Sequence, residues 1–291
     1  MADLQAEARA RTPTAGVGRI LSPMWFVTET LANWDEIHGY ARRERSDWLY
    51  RGQKVASWNL QTSLERCCDR QDVAAAKRLE VEAELFREFR RAYHQYAHHV
   101  PQSDAALEWR SLMQHHGAPS RLLDFTYSIY VAAYFALEAA DQDCAVWAVN
   151  APWAKRRSVA AMKDAAKSDA AKLEDPVTEG HERIIQSLLF SSPFVRAACP
   201  LNPFRLNERL RLQRGAFLVP GDISVSFMDN LEAMAARDET PNVVRLVIPV
   251  GMRGQALRQL FQMNISRTSL FPGLDGYARS LGIYHPVFDW V

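Results

Sequence analysis

The sequence has no apolar run approaching the ~18–20 residues that cross a bilayer, and its opening, MADLQAEARARTPTAGVGR, has no hydrophobic signal core. These absences predict a soluble, unexported, cytoplasmic protein with no membrane partner. Cysteine is scarce. The four cysteines stand at 67, 68, 144 and 199, and adjacent Cys67 and Cys68 are poorly placed to pair, so no disulfide framework is legible and a reducing compartment is expected. No CxxC, HExxH or His-x-His spacing occurs, so no metal is expected. Charge of one sign is missing too: 35 Lys and Arg face 34 Asp and Glu, a formal +1. A nucleic acid or other polyanion would therefore have to be held locally rather than by a broad field. Lysine is rare within the basic set, 6 against 29 arginines, a bias that suits bidentate anion contacts or simple composition. No internal repeat and no Pro- or Gly-rich linker divides the chain, which points to one domain.

What is present is enough apolar material for a core, 48% of 291 residues. Residues 1–22 are small, polar and aperiodic and are expected to be a flexible leader, with the domain occupying 23–291. Residues 47–53 read as a short aromatic strand. From 72 to 96, Leu79, Ala83, Phe86, Phe89, Tyr93 and Tyr96 recur at helical spacing above a charged face. Ser103 is placed to cap a second helix that Gly117 and Pro119 stop, and Ser128 a third over Ile129 to Leu137. Residues 144–149, 216–219 and 243–248 read as buried strands, and 254–263 as a helix. Residues 153–180, rich in Ala, Lys and Asp, are expected to form a mobile insertion, a loop or a weakly anchored helix on the surface. The pattern predicts an α+β fold: one mixed domain with a central, mostly antiparallel sheet flanked by helices.

Four constellations carry chemistry. In Tyr50-Arg51-Gly52-Gln53 an arginine ends a strand, where it can grip a phosphate bidentately or pair with a structural carboxylate, and the glycine admits a close backbone or ligand. Residues 114–126, QHHGAPSRLLDFT, gather His115, His116, Ser120, Arg121, Asp124 and Thr126 just after a helix end. The functional reading stands beside a plain one, in which a histidine caps the helix and Arg121 pairs with Asp124. Glu208 to Phe217, ERLRLQRGAF, would place Arg209, Arg211 and Gln213 on one face if extended, either in a cleft or on a solvated edge. Arg267 to Gly276 fixes a tight chain path and reads chiefly as structure.

These four pieces, in this order and spacing, resemble the FRG domain family, named for its Phe/Tyr-Arg-Gly motif, over roughly residues 25–285. Ala118, Ser120 and Phe125 depart from the family's commoner residues. A second, fainter resemblance is to NAD-dependent ADP-ribosyltransferases, in which an arginine ends the first core strand, a later strand bears a hydroxyl, and a late strand is led by Glu or Gln. That likeness implies NAD as substrate, with Arg51 on the dinucleotide phosphates, Thr126 as the strand hydroxyl, and Glu208 or Gln213 as the residue that steers the ribosyl cation. Arg51, Arg121 and His115 or His116 would supply cationic hold, with Tyr50, Gly52, Gln53 and Asp124 around the cofactor. It also implies a macromolecular acceptor, protein or nucleic acid, and, in a toxin or defence effector, a neutralising antitoxin. The alternatives are a non-enzymatic nucleotide or nucleic-acid binding module, and a hydrolase or nuclease built on His115, His116 and Asp124.

Overall fold

The computed structural model describes residues 25–42, 47–97, 100–174, 182–203, 208–235 and 241–284. The leader expected over 1–22 lies outside them. In chain order the elements are β1 (Val27–Thr30), α1 (Glu36–Arg42), β2 (Trp48–Gln53), α2 (Ser63–Arg70), α3 (Arg78–Tyr93), α4 (Ala106–His115), β3 (Leu123–Thr126), α5 (Ile129–Leu137), β4 (Cys144–Asn150) and α6 (Ala151–Asp164). They continue as α7 (Glu182–Leu189), β5 (Ala198–Leu201), α8 (Glu208–Leu212), β6 (Gly215–Pro220), α9 (Phe227–Glu232), β7 (Val243–Ile248), α10 (Arg253–Gln262), α11 (Arg267–Leu270) and α12 (Leu274–Tyr284). The fold is mixed α and β around one seven-stranded sheet, in the order β1-β7-β4-β2-β3-β6-β5. Of its pairings only β1 with β7 is parallel. Among the described residues no helix is long and apolar enough to cross a membrane.

The alternation of a pleated strand sends successive side chains into two cores. On β4, Trp147 and Val149 join one cluster, with Leu49, Phe125, Phe217 and the helical residues Trp153, Val159 and Met162. Val146 and Ala148 join the other, with Trp48, Tyr50 and residues of α5 and α10. All of β4 except its last residue is buried, which is why it reads as a continuous apolar run. Ser128 caps α5 as its position predicts, accepting from the Val131 amide. Ser103 does not cap α4: the helix starts at Ala106 with no side-chain cap, and the Ser103 carbonyl accepts from Arg90 instead.

The surface insertion expected over 153–180 is corrected. Residues 151–164 form a helix that buries Trp153, Ala154, Ser158, Val159 and Met162 against the sheet, and Ala170 and Leu173 follow it into the core. Its buried stripe sets Trp153, Val159 and Met162 among small side chains at helical spacing, so composition understates it. Residues 175–180 lie outside the described residues.

β2 and β3 meet at a seam. Their pairing is the single register Tyr50 with Thr126, whereas β2 runs six consecutive pairs with β4 and β3 four with β6. Beyond Tyr50 the two halves of the sheet part, and the candidate site lies in that parting.

Candidate functional site in the split of the sheet

Two cavities open where β2 leaves β3. The larger, about 710 Å³, is walled by Arg51, Gln53, Lys54, Trp58, Glu65 and Arg66, among others. The smaller, about 240 Å³, is walled by Tyr50, Asp124, Thr126, Arg209 and Gln213, again with Arg51. Arg51, Gly52 and Phe135 border both, so Arg51 stands at the neck between two chambers. Its Nη1 donates to the Asp124 carbonyl at 2.8 Å, a side chain bridging two strands where the backbone ladder has stopped. Its Nε is buried and has no hydrogen-bond partner. Among the described residues Arg51 makes no ion pair, although the Asp124 carboxylate is near enough to act on it electrostatically. Burial holds its pKa below the usual arginine value; the Asp124 carboxylate opposes that shift and Arg66 adds to it. A guanidinium remains protonated regardless, so burial here acts as an unmet demand for an anion.

Gly52 borders both chambers and is required by the backbone. A Cβ there would lie 2.0 Å from the Ala132 carbonyl oxygen and 2.6 Å from the Ala136 nitrogen, so α5 crosses β2 at contact distance. Gln53 is held at both ends, donating to the Asn59 carbonyl at 3.1 Å and accepting from Trp147 Nε1 at 3.0 Å. Tyr50 is buried in the core beneath α5 and borders only the smaller chamber.

Residues 114–126 divide sharply. Arg121 is 1% exposed and grips Glu82 with Nε and Nη2 while Nη1 donates to the Leu189 carbonyl at 3.0 Å. Phe190 packs against its guanidinium, and Arg110 stacks on Phe190 and Phe86 beside the same carboxylate. The expected pairing of Arg121 with Asp124, and the expected role of Arg121 in cofactor binding, are therefore corrected: it ties α3 and α7 to the turn before β3, inside the core. Thr126 is also committed, donating to the Gln213 carbonyl at 2.7 Å and accepting from the Ser128 amide at 3.0 Å. Its hydroxyl closes a turn at the cleft wall.

Asp124 faces the smaller chamber and a 40 Å³ crevice behind it that His115, Gln114, Arg209 and Gln213 also line. Burial lowers the His115 pKa, as do nearby His116 and Arg209, so the ring is neutral near pH 7. Gln114 Oε1 is buried without a partner there. His116 packs edge-on against His115 but lines neither of the two chambers nor the crevice.

The stretch 208–214 is not extended. It coils as α8, and Arg214, with φ of 49°, turns the chain into β6. Helical spacing therefore puts Arg209 and Gln213 on one face and sends Arg211 elsewhere. Arg209 enters the cleft and its guanidinium lies 4.7 Å from the Phe271 ring centroid. Gln213 Nε2 donates to the Leu270 carbonyl at 3.1 Å, tethering the fourth motif to the cleft. Glu208 is exposed and borders none of these spaces, so a steering role for it is corrected.

Lys54, Trp58, Arg66 and Phe135 are cleft residues that the motifs did not single out. Arg209 was singled out on an extended reading, and it reaches the cleft beside Gln213 through helical spacing instead. Burial pushes the Cys144 thiol up to about 12 and the Cys199 thiol up to about 11. Among the described residues no group of three or more His, Cys, Asp or Glu is placed to hold a metal.

Against known families, residues 46–144 match the FRG domain. That match covers about a third of the chain, so the likeness to the FRG domain is one of this segment. The matched span runs from just before β2 to the first residue of β4 and contains both the Tyr-Arg-Gly and the His-His-Gly motifs. The FRG segment thus supplies Arg51, Trp58, Arg66, Asp124 and the splayed strands, while Arg209 and Gln213 reach the cleft from outside it. No curated protein and no solved structure matches the chain.

Proposed function

We propose that the cleft binds NAD and that the protein transfers its ADP-ribosyl group to a macromolecular acceptor, releasing nicotinamide. The observation that carries this reading is the pair of chambers meeting at Arg51. A dinucleotide is two nucleosides joined by a pyrophosphate, and a cation at the neck of two unequal cavities suits that shape. The larger volume lies within the range of ordinary ligand sites, roughly 300–1,000 Å³. Lys54 and Arg66 add positive charge on the wall beside Arg51. The reaction asks for a held leaving group, a carboxylate near the forming cation and fixed charge on the phosphates, all of which preorganised side chains supply. With Glu208 outside the cleft, the carboxylate available to the smaller chamber is Asp124. The acceptor class, protein or nucleic acid, and any neutralising partner belong to the same proposal.

A second reading, a non-enzymatic nucleotide module, is favoured by one observation: Gln213 and Thr126 spend their side chains on backbone carbonyls rather than on the chamber. One experiment separates the two. Purified protein is incubated with labelled NAD and cell lysate, then digested with protease or nuclease in turn. Nicotinamide release that Arg51→Ala abolishes at unchanged melting temperature supports transfer; saturable NAD binding with no release supports the module; neither binding nor release overturns both.

A further inference from the structure

Resting on the NAD reading, the structure also distinguishes the two ends of the ligand. In the larger chamber stands Trp58, 49% exposed, with its carbonyl receiving Trp147 Nε1 at 3.3 Å. Lys54 Nζ lies 5.7 Å from the ring centroid. A half-exposed indole fixed through its backbone on a cavity wall, with a cation beside it, is a platform on which a flat base stacks while its phosphate is neutralised. The smaller chamber has a different character. Of its aromatic walls, Tyr50 and Phe125 are buried in the cores and the part-exposed Phe135 is shared with the larger chamber, and its polar groups include the Asp124 carboxylate and Arg209.

We propose that the dinucleotide binds with one polarity: adenine on Trp58, pyrophosphate at Arg51, and the nicotinamide riboside in the smaller chamber with Asp124 beside the ribosyl carbon. In that orientation the bond from ribose C1′ to the nicotinamide ring nitrogen breaks, and its electron pair leaves with neutral nicotinamide. The acceptor's lone pair forms the new bond at C1′, and the acceptor's proton passes to water. Asp124 stabilises the transient positive charge on the sugar and is the catalytic carboxylate.

The test uses the full chain with two ligands, NAD and nicotinamide mononucleotide, which lacks the adenosine half. Binding is read by tryptophan fluorescence and calorimetry, and turnover by nicotinamide release. Trp58→Ala should weaken NAD about 5- to 150-fold, the worth of one stacked base, while leaving mononucleotide affinity within about twofold. Trp58→Phe should restore most of the NAD affinity. Asp124→Asn should leave NAD affinity within about threefold and cut kcat about 100-fold or more, as loss of an electrostatic stabiliser does. Equal weakening of both ligands by Trp58→Ala, or loss confined to the mononucleotide, overturns the polarity. Unchanged kcat in Asp124→Asn overturns the carboxylate's role. If wild-type protein binds ADP but neither binds nor cleaves NAD, the NAD reading itself falls and the polarity with it.

Discussion

Arg51 and Arg121 both lie in the FRG segment, the first part-buried at the cleft and the second in the core, and the fold treats them in opposite ways. Arg121 meets a bidentate carboxylate, a backbone carbonyl and an aromatic ring, all within the core. Arg51 meets one carbonyl, keeps a buried N–H without a partner, and looks into two cavities. A buried N–H left without a partner costs free energy, on the order of 1–3 kcal/mol, and such a cost persists where a ligand offsets it. The completeness of a guanidinium's partners, together with its depth, separates the arginine that holds the molecule together from the one that meets a ligand.

That comparison breaks most visibly at Arg121. Arg121→Ala should destabilise the protein by about 3–5 kcal/mol in urea unfolding, because it strands the Glu82 carboxylate in the core. Replacing both partners, Arg121→Met with Glu82→Leu, should recover most of that loss. Arg51→Ala should instead change stability by less than about 1 kcal/mol, since it deletes a poorly satisfied group. A loss as large as that of Arg121→Ala would erase the distinction. With NAD at 100 times its Kd, wild-type protein should gain about 2.7 kcal/mol in the same assay and the Arg51 variant none.

Between these extremes lies Gly52→Ala, where the added methyl meets the backbone of α5. A cost of about 1–3 kcal/mol is expected, together with weakened ligand binding as β2 and α5 separate. The smallest effect concerns pH. Burial raises the Glu65 carboxyl pKa above its usual value, against the opposing Phe227 amide and Arg78. The folded state therefore binds that proton more firmly than the unfolded chain, whose carboxyl titrates near ~4.3, so stability falls as pH rises from there through the folded value. Glu65→Gln should gain on wild type between pH 4 and pH 7; a gap that shrinks with rising pH would contradict the assignment.

The sheet was legible where its strands are chemically loud. β2, β4, β6 and β7 carry runs of aromatic and β-branched residues between turn signals, and Ser128 announces α5. The four-residue strands β1 and β5 and the short helix α9 carry too little pattern to stand out. The alternation RLRLQR reads as a strand, yet Leu210 packs under Gly215 and the segment coils. At the site, Arg51 and Asp124 were legible from local motif alone. The commitment of Arg121 was not, because its carboxylate sits 39 positions upstream on another helix. Trp58 and Arg66 become cleft residues only through the three-dimensional path that brings them beside Arg51.

One feature of the architecture reaches further than any single side chain. A ladder that stops after one rung leaves main-chain amides and carbonyls along both lips of the opening. Much of the polarity of such a groove belongs to the polypeptide itself and survives any exchange of residues that preserves the parting. Substitutions in the walls can then change what the groove recognises while the hydrogen-bonding rim stays in place.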